Sequence, residues 1–347
     1  MKLSDFDFDL PDDLIALRPA RPRSSARLLL VRDEEFCDTR VNRLPEILRP
    51  GDLLVVNDTK VVPGALDGHR IRESKSKISL NLVQDLGCGR WRALAKPLRR
   101  IRSGDRLEFG NKLWATVIER SDSGIEICFN VKGDAFDRAL SDRGKAPLPP
   151  YISSRRNIDR YDRTDYQTIF AERPGAVAAP TASLHFDNAL RNNLSDNGIG
   201  IAAITLHVGE GTFLPVKSES IGEHRMHAEW GEITTAAAEK INAVRDAGGR
   251  IVAVGTTPLR LLESASGPRG ELNAWSGETR IFIKPGYRVR SVDALLTNFH
   301  LPKSTLFILV AALAGQERVR SIYRHAVSER YRFYSYGDCM LLFLSGI

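Results

Sequence analysis

Four short runs of consecutive apolar residues constrain the fold of this chain more than any other feature. The runs occupy residues 53–56, 201–206, 251–254 and 292–296. An unbroken apolar run is typical of a strand that is buried on both faces, as in a mostly parallel sheet covered by helices. Helical stretches follow the later runs, at residues 235–247, 258–265 and 305–314. These patterns predict an α/β domain.

The segment from Asp67 to Pro150 has a different pattern. Short β-rich runs at residues 78–83, 91–95, 113–118 and 125–131 alternate with Gly, Asp and Ser clusters that are typical of turns. Closely spaced short strands of this kind predict a small antiparallel barrel or sandwich, of which we favour the barrel. We therefore predict an α/β fold in which a discontinuous α/β domain, residues 1–66 and 151–347, carries an inserted small antiparallel β-barrel domain, residues 67–150.

The positive charge of the chain is concentrated in this predicted insert. The formal net charge is +7, and residues 67–150 contain 17 Lys and Arg against 11 Asp and Glu. Further arginines, Arg155 and Arg156 among them, follow directly. A basic surface attracts polyanions such as RNA, because phosphate contacts release counterions. An ordinary solvated surface would have the same composition, so charge alone leaves both interpretations open.

Composition excludes disordered and membrane-spanning classes of protein. The hydrophobic content of 42% and the charged content of 27% are ordinary for a globular protein. The longest apolar run, residues 306–314, is far shorter than the roughly 20 residues that a bilayer requires. The four cysteines form no C-x-x-C pair, which argues against a zinc ribbon. With no signal-peptide pattern at the N-terminus, we expect a cytoplasmic protein.

Polar residues follow each of the four apolar runs, where each strand would end. The clusters are Asn57-Asp58-Thr59, His207-Val208-Gly209-Glu210-Gly211-Thr212, Gly255-Thr256-Thr257 and Asn298-Phe299-His300. Ligands of open α/β sheets bind outside the carboxyl ends of the strands. Any one cluster would also suit an ordinary capped turn, but the four together predict one shared cleft.

Two further stretches contain candidate ligand contacts. The small-residue segment 174–186 includes Thr181 and His185, and its small residues would let the backbone approach a ligand closely or form a close-packed turn. The stretch 331–338 alternates aromatic and polar residues and includes Tyr336 and Asp338. Its aromatic faces would either stack on a base or pack in the core.

The stretch around His224, His227 and Glu229 invites a metal interpretation. Two histidines and a carboxylate would bind zinc, but the H-E-x-x-H register is missing, so we favour an acid/base or ligand-contact role. Gly209 and Gly211 do not form a dinucleotide fingerprint, because the third glycine is absent. No G-x-x-x-x-G-K-[ST] motif is present in the sequence either.

At these residues the chain resembles a known family, the S-adenosylmethionine:tRNA ribosyltransferase-isomerases of the queuosine pathway. Ten stretches carry the resemblance in order between about residues 6 and 342: 10–16, 51–59, 149–152, 166–168, 174–182, 205–213, 224–229, 254–257, 297–306 and 331–338. The chain departs from the expected pattern at five positions, which are Ser24, Ala65, Ser183, Pro258 and Arg280. The loss of an arginine at position 65 puts an anion contact there in doubt.

The resemblance implies a specific reaction. Enzymes of this family transfer and isomerise the ribosyl group of S-adenosylmethionine onto 7-aminomethyl-7-deazaguanine at the wobble position of tRNA. Adenine and methionine leave, and epoxyqueuosine remains on the tRNA. The implied partners are S-adenosylmethionine as co-substrate and the tRNA anticodon loop, with no prosthetic group, no metal and no membrane. We expect a monomer.

The roles of individual residues are hypotheses that combine this chemistry with the clusters above. The proposed course begins with loss of a proton from the ribose carbon next to the sulfonium, for which the candidate catalytic residues are His207, His227, His300, Asp58 and Glu229. The candidate substrate-binding residues are Asn57, Thr59, Thr181, His185, Gly209, Gly211, Thr212, Gly255, Thr256, Thr257, Asn298, Phe299, Tyr336 and Asp338. The candidate tRNA-binding residues are Arg99, Arg100, Arg102, Arg155 and Arg156.

Two other functions stay open on the residues alone. An S-adenosylmethionine-dependent RNA methyltransferase would use the same donor, but the chain lacks a glycine-rich nucleotide loop. A non-catalytic RNA-binding protein would need only the basic segment, and it would leave the four strand-end clusters unexplained.

Overall fold

A computed structural model describes residues 1–33, 35–110, 112–121, 124–209 and 218–344. The chain divides into two compact units. The first, here called the α/β unit, contains Met1–Thr59, Thr168–Arg173 and Pro180–Ile347. The second, the barrel unit, contains Lys60–Gln167 and Pro174–Ala179, and residues 67–150 lie within it.

The described strands, in chain order, are β1 (Arg27–Arg32), β2 (Glu35–Arg40), β3 (Leu53–Asn57), β4 (Thr59–Val61), β5 (Ala65–Ile71), β6 (Lys75–Gly87), β7 (Arg90–Lys96), β8 (Arg106–Gly110), β9 (Leu113–Arg120), β10 (Ile125–Phe129), β11 (Arg173–Ala176), β12 (Gly200–Leu206), β13 (Glu229–Ile233), β14 (Ile251–Val254), β15 (Trp275–Thr279), β16 (Ala294–Asn298) and β17 (Cys339–Phe343). The described α-helices are α1 (Leu44–Ile47), α2 (Asp134–Arg143), α3 (Pro150–Ser153), α4 (Asp162–Asp165), α5 (Asn188–Asp196), α6 (Thr235–Asp246), α7 (Thr256–Ala265), α8 (Thr305–Ala314) and α9 (Gln316–Ser328).

The α/β unit is built on a mixed sheet with the strand order β15-β13-β12-β3-β14-β16-β17-β1-β2. The four central strands β12, β3, β14 and β16 are mutually parallel. Successive residues of β3 contribute to different cores, with Leu53 and Val55 on one side of the sheet and Leu54 and Val56 on the other. Burial on both faces is the physical reason that these strands are continuously apolar, and the predicted α/β architecture is confirmed.

The polar ends of the central strands share one edge of this sheet. Parallel neighbours place their carboxyl ends together, so the residues after β12, β3, β14 and β16 lie side by side. The antiparallel strands β13 and β17 begin at the same edge, because Leu206 pairs with Gly231 and Asn298 pairs with Cys339. We call this the sheet edge.

The barrel unit contains a closed antiparallel barrel with the order β10-β7-β6-β5-β8-β9, which confirms the predicted barrel. Side chains of β7 alternate between the barrel interior and solvent: Trp91 and Ala93 are buried, and Arg90 and Arg92 are exposed. Helix α2 contributes Phe136 to the same core. Strands β4 and β11 form a separate two-stranded sheet. Every helix in the described ranges is too short or too polar to cross a bilayer.

Candidate active site at the sheet edge

Asn57 lies at the centre of the sheet edge and joins three elements. Its side-chain nitrogen donates to the Leu206 carbonyl at 2.8 Å and to the Thr257 hydroxyl at 3.4 Å. Its side-chain oxygen accepts from the backbone N–H groups of Thr59 at 3.1 Å and Leu206 at 3.0 Å. Both ends of the buried amide are therefore used to hold β3, β12 and the start of α7 in register.

His207 is a half-buried histidine that follows β12. Its Nδ1 lies 2.8 Å from the hydroxyl of Thr59, and its ring stacks on Trp230 with centroids 5.2 Å apart. Burial, and secondarily the positive charge of Arg173, lowers the pKa of His207, so the ring is neutral at pH 7. No residue in the described part of the chain forms a hydrogen bond with Nε2.

The carboxylate of Asp58 points to a different partner. Asp58 is buried and accepts a hydrogen bond from Thr205 at 2.7 Å, and burial raises its pKa. Arg173 donates to the same Thr205 hydroxyl at 3.2 Å and pairs with Glu232 at 2.5 Å. Asp58 thus belongs to a cluster beside His207 and does not bond the imidazole directly.

Glu229, the first residue of β13, forms a buried ion pair with Arg260. Their side chains are only 4% and 3% exposed. One oxygen of Glu229 pairs with Nη1 of Arg260, and the other accepts the backbone N–H of Gly209 at 3.1 Å. Glu229 therefore fixes the backbone two residues after His207. Arg260 was not predicted from the sequence, because an arginine in the largely apolar helix α7 would be expected to face solvent.

Asn298 and His185 extend the edge beyond β16. His185 Nε2 lies 3.3 Å from the Asn298 side-chain oxygen, and the Asn298 nitrogen donates to the carbonyls of Tyr334 at 2.9 Å and Ser335 at 3.2 Å. Burial lowers the pKa of His185 to about 4. The small-residue segment forms a 3-10 turn, Thr181–His185, in which Thr181 is partly exposed.

The backbone conformation at position 255 requires glycine. Its φ of 106° lies in the region that other residues rarely adopt, and it leads from β14 directly into α7. A Cβ added at Gly255 would stand 3.4 Å from the Cβ of Ala182. Thr256 and Thr257, at the start of α7, are both buried.

Asp338 is a buried carboxylate just before β17. It accepts from the Arg332 side chain at 2.8 Å and from the backbone N–H groups of Arg332 at 2.9 Å and Arg27 at 3.1 Å. These bonds tie the start of β1 to the start of β17 at the sheet edge.

Three of the predicted site residues lie in the core. His300 is buried, bonds Thr297 through Nε2 at 2.9 Å, and has its pKa lowered to about 3 by burial. Phe299 is fully buried against Tyr331, with ring centroids 5.2 Å apart. Tyr336 is 2% exposed. Aromatic faces in these positions pack against protein, which is the alternative that the sequence left open for residues 331–338.

The remaining predicted residues are dispersed. His227 is exposed, and His224 packs edge-on against Phe282 at 5.4 Å. Among the residues that the structure describes, no group of three His, Cys, Asp or Glu side chains is arranged to hold a metal ion. Gly211 and Thr212 lie outside the described residues.

The predicted tRNA-binding arginines differ in their surroundings. Arg99, Arg100 and Arg102 are exposed on and after a 3-10 turn of the barrel unit, Leu98–Arg100. Arg155 is also exposed. Arg156 instead makes a two-bond pair with the fully buried Asp162, at 2.9 and 2.5 Å.

The fold and the sheet edge together define an α/β protein whose candidate site lies at the carboxyl ends of parallel strands. A family model described as "Queuosine biosynthesis protein" matches residues 3–342. The chain belongs to this family.

Curated relatives match from end to end. A protein from Cereibacter sphaeroides (strain KD131 / KCTC 12085) is 56% identical over 347 residues, which is 100% of each chain. A protein from Phenylobacterium zucineum (strain HLK1) is 53% identical and covers 99% of each. Both are named S-adenosylmethionine:tRNA ribosyltransferase-isomerase. The crystal structure of the S-adenosylmethionine tRNA ribosyltransferase from Thermotoga maritima is 33% identical, with a TM-score of 0.56 over 98% of this chain and 100% of that one.

Proposed function

We propose that this chain is an S-adenosylmethionine:tRNA ribosyltransferase-isomerase of queuosine biosynthesis. The observation that carries the proposal is end-to-end identity of 56% with a relative of that name. Identity of this extent leaves no part of the relative without a counterpart in this chain. The sheet edge, with a neutral histidine among fixed polar groups, supplies a site for the chemistry.

The reaction moves a ribosyl group from S-adenosylmethionine to tRNA. The acceptor is the aminomethyl group of 7-aminomethyl-7-deazaguanine at the wobble position, and the product is epoxyqueuosine-tRNA. Adenine and methionine leave. S-adenosylmethionine is consumed as a co-substrate, so the protein needs no prosthetic group for this step.

His207 is the proposed base for the first step. The sulfonium makes the protons on the neighbouring ribose carbon acidic, so a neutral imidazole is strong enough to remove one. Thr59 engages Nδ1 at 2.8 Å and Trp230 fixes the ring plane, which leaves Nε2 for the substrate. In the tautomer that acts as a base, Nδ1–H donates to Thr59 and Nε2 carries the lone pair.

The other histidines are less suited to this role. His300 is buried, uses Nε2 toward Thr297, and has a pKa of about 3, so it is a poor proton acceptor. His185 is buried with a pKa of about 4 and is held against Asn298. His227 is exposed, and no described residue forms a hydrogen bond that would orient its ring.

Thr257 is the proposed hydrogen-bond donor to the departing adenine. Its oxygen already accepts from Asn57 at 3.4 Å, so its own O–H is left to donate. Asn298 uses both ends of its amide within the protein and is assigned a positioning role.

The barrel unit is the proposed site of contacts to the tRNA backbone. Arg99, Arg100 and Arg102 are exposed, and no described residue forms an ion pair with them. Arginine side chains in this state are suited to phosphate oxygens. Action in the cytoplasm as a monomer belongs to the same proposal, and sedimentation of the purified protein with and without tRNA measures the oligomeric state.

A product assay tests the function. The purified protein is incubated with S-adenosylmethionine and tRNA that carries 7-aminomethyl-7-deazaguanine, and small molecules are separated by chromatography. Adenine and methionine should appear in equal amounts, in step with tRNA modification. S-adenosylhomocysteine would indicate methyl transfer, and tight tRNA binding without turnover of the donor would indicate an RNA-binding protein.

A further inference from the structure

We propose that Tyr161, an exposed aromatic residue of the barrel unit, stacks on an unpaired nucleotide of the tRNA. This inference rests on the proposed function, because it takes the partner to be tRNA. It adds a contact with a base to the phosphate contacts proposed for arginines of the same unit, and the two kinds of contact differ in their dependence on salt.

Tyr161 differs from the other described aromatic residues in its exposure. Among the Phe, Tyr and Trp side chains that the structure describes, it is the only exposed one, at 47%. Tyr336, for which the sequence suggested base stacking, is instead buried. An aromatic ring that stays largely in water contributes little to a core, whereas an exposed planar ring is the feature on which nucleic-acid bases stack.

A buried carboxylate holds the turn that carries Tyr161. Asp162 is fully buried and accepts two hydrogen bonds from Arg156, at 2.9 and 2.5 Å, and one from the backbone N–H of Asp159 at 2.8 Å. The carboxylate of Asp159 in turn accepts the backbone N–H of Tyr161 at 2.9 Å. The ring is therefore presented from a fixed backbone, so little backbone entropy is lost when a ligand binds.

Two arginines keep the surroundings of the ring positive. The guanidinium of Arg160 lies over the Tyr161 ring, 4.8 Å from its centroid, and donates to the Tyr161 hydroxyl at 2.7 Å. Arg163 donates to the carbonyl of Ser141 at 2.7 Å and to its hydroxyl at 3.3 Å, which ties the turn to helix α2. Both arginines are exposed and these partners are uncharged, so the contacts do not neutralise the guanidinium groups.

An aromatic ring beside positive charge suits an unpaired nucleotide of RNA. The ring stacks on the face of any base, and the guanidinium groups attract the phosphates that flank it. A base inside a duplex has its faces covered by its neighbours, so only a base in a loop, a bulge or an end offers a face to Tyr161. S-adenosylmethionine also contains a base, but it carries two positive charges against one negative charge, and the two arginines disfavour it.

Substitutions at position 161 test the proposal, with Tyr161→Phe as the matched control for Tyr161→Leu. Phenylalanine keeps the aromatic face without the hydroxyl, whereas leucine is apolar and has no aromatic face. The dissociation constant for substrate tRNA is measured for both variants and for Arg160→Gln across a range of salt concentrations. Affinity for S-adenosylmethionine is measured in parallel by calorimetry, and thermal unfolding of each variant checks the fold.

We expect Tyr161→Leu to weaken tRNA binding about tenfold and to leave the slope of log Kd against log salt unchanged, because stacking releases no counterions. Tyr161→Phe should keep an affinity close to that of the wild type. Arg160→Gln should reduce the slope by about 0.7 to 0.9, the value for one lost phosphate contact. Affinity for S-adenosylmethionine should stay unchanged in all three.

Photo-cross-linking locates the contact without a substitution in the protein. Substrate tRNA is prepared with 5-iodouridine at unpaired positions in one sample and at paired positions in another, because this base reacts with aromatic side chains that stack on it. Cross-linked peptides of the wild-type protein are identified by mass spectrometry. Tyr161 should cross-link to the first RNA and not to the second.

Equal tRNA affinity in Tyr161→Leu and Tyr161→Phe would overturn the proposal, as would the absence of a cross-link at Tyr161. A loss of S-adenosylmethionine affinity in Tyr161→Leu would assign the ring to the donor and would overturn it as well. Failure of the proposed function gives a different result, since the wild type itself would then release no adenine.

Discussion

The sheet edge of the α/β unit and the surface of the barrel unit use polar residues in opposite ways. At the sheet edge, Asn57, Glu229 and Asp338 are buried and bonded to other protein groups. On the barrel, Arg99 and Arg100 are exposed around an apolar interior. Polar groups fixed away from water can stabilise charge that develops in a reaction, whereas exposed charges suit a polyanion backbone. Under the proposed function, the sheet edge serves the chemistry and the barrel surface serves substrate capture.

Substitution of His207 should have the largest effect on turnover. His207→Ala removes the proposed base, so the rate of adenine release should fall by about 10² to 10⁴, while tRNA affinity stays within twofold because the barrel surface is unchanged. The matched control is His227→Ala, which removes an exposed histidine and should turn over as the wild type does. Adenine release by His207→Ala at a rate close to wild type would contradict the role.

Loss of the buried ion pair should strongly lower stability. Arg260→Met removes the guanidinium that pairs with the buried Glu229 carboxylate, so the free energy of unfolding should fall by about 3 to 5 kcal/mol. The control is the same substitution in the barrel unit, Arg90→Met, which breaks a pair with Glu126 in which Arg90 is 52% exposed. That change should cost about 1 kcal/mol or less. Equal losses in urea unfolding would remove the distinction between the two regions.

Acid should destabilise the α/β unit before the barrel unit. The pKa values of His185 and His300 are lowered from 6.5 to about 4 and about 3, so the unfolded chain binds protons below pH 6.5 that the folded chain does not. Stability therefore falls as pH drops below 6.5, by about 2 to 3 kcal/mol between pH 7 and pH 5.5 for the two groups together. The barrel unit contains one histidine, His69, which is exposed.

Tryptophan fluorescence distinguishes the two units in this acid titration. Trp230 and Trp275 report on the α/β unit, and Trp91 and Trp114 on the barrel unit. Variants that keep one pair should show the urea midpoint of the α/β unit decreasing with acid more steeply than that of the barrel. A midpoint for the α/β unit that is independent of pH between 7 and 5.5 would be inconsistent with neutral buried histidines.

Charge reversal on the barrel should have the smallest effect per residue. Each of Arg99→Glu, Arg100→Glu and Arg102→Glu should weaken tRNA binding by about tenfold or less and flatten its salt dependence. Turnover at saturating tRNA should be unchanged, because these residues do not touch the reacting atoms. Binding that is unaffected at every salt concentration would refute this placement of the tRNA.

The sheet edge, where the candidate site lies, could be predicted from the sequence because it depends on strand ends. An unbroken apolar run followed by Asn57 or Asn298 indicates where a buried strand ends, and the parallel order then places the ends at one edge. The direction of each side chain could not be predicted. His207 and His300 both follow buried strands, yet His300 is buried and bonds back to Thr297, whereas no described residue bonds Nε2 of His207.

The buried charges of helix α7 were missed for a related reason. Arg260 and Glu263 are three residues apart in a largely apolar helix, which is the pattern of a polar stripe facing solvent. Both are buried, because Glu229 and Ser291 reach them from other elements. Partners that are distant in sequence, 31 and 28 residues away, do not alter the local pattern.

The central claim is that His207 removes a proton from the ribose carbon next to the sulfonium. Its most direct test uses S-adenosylmethionine that carries two deuterium atoms on that carbon. Mass spectrometry of the modified tRNA then reports whether one deuterium is lost to solvent. We predict loss of one deuterium with the wild type and with His227→Ala, and at least about a hundredfold slower product formation with His207→Ala. Retention of both deuterium atoms by the wild type, or loss at the wild-type rate in His207→Ala, would contradict the account.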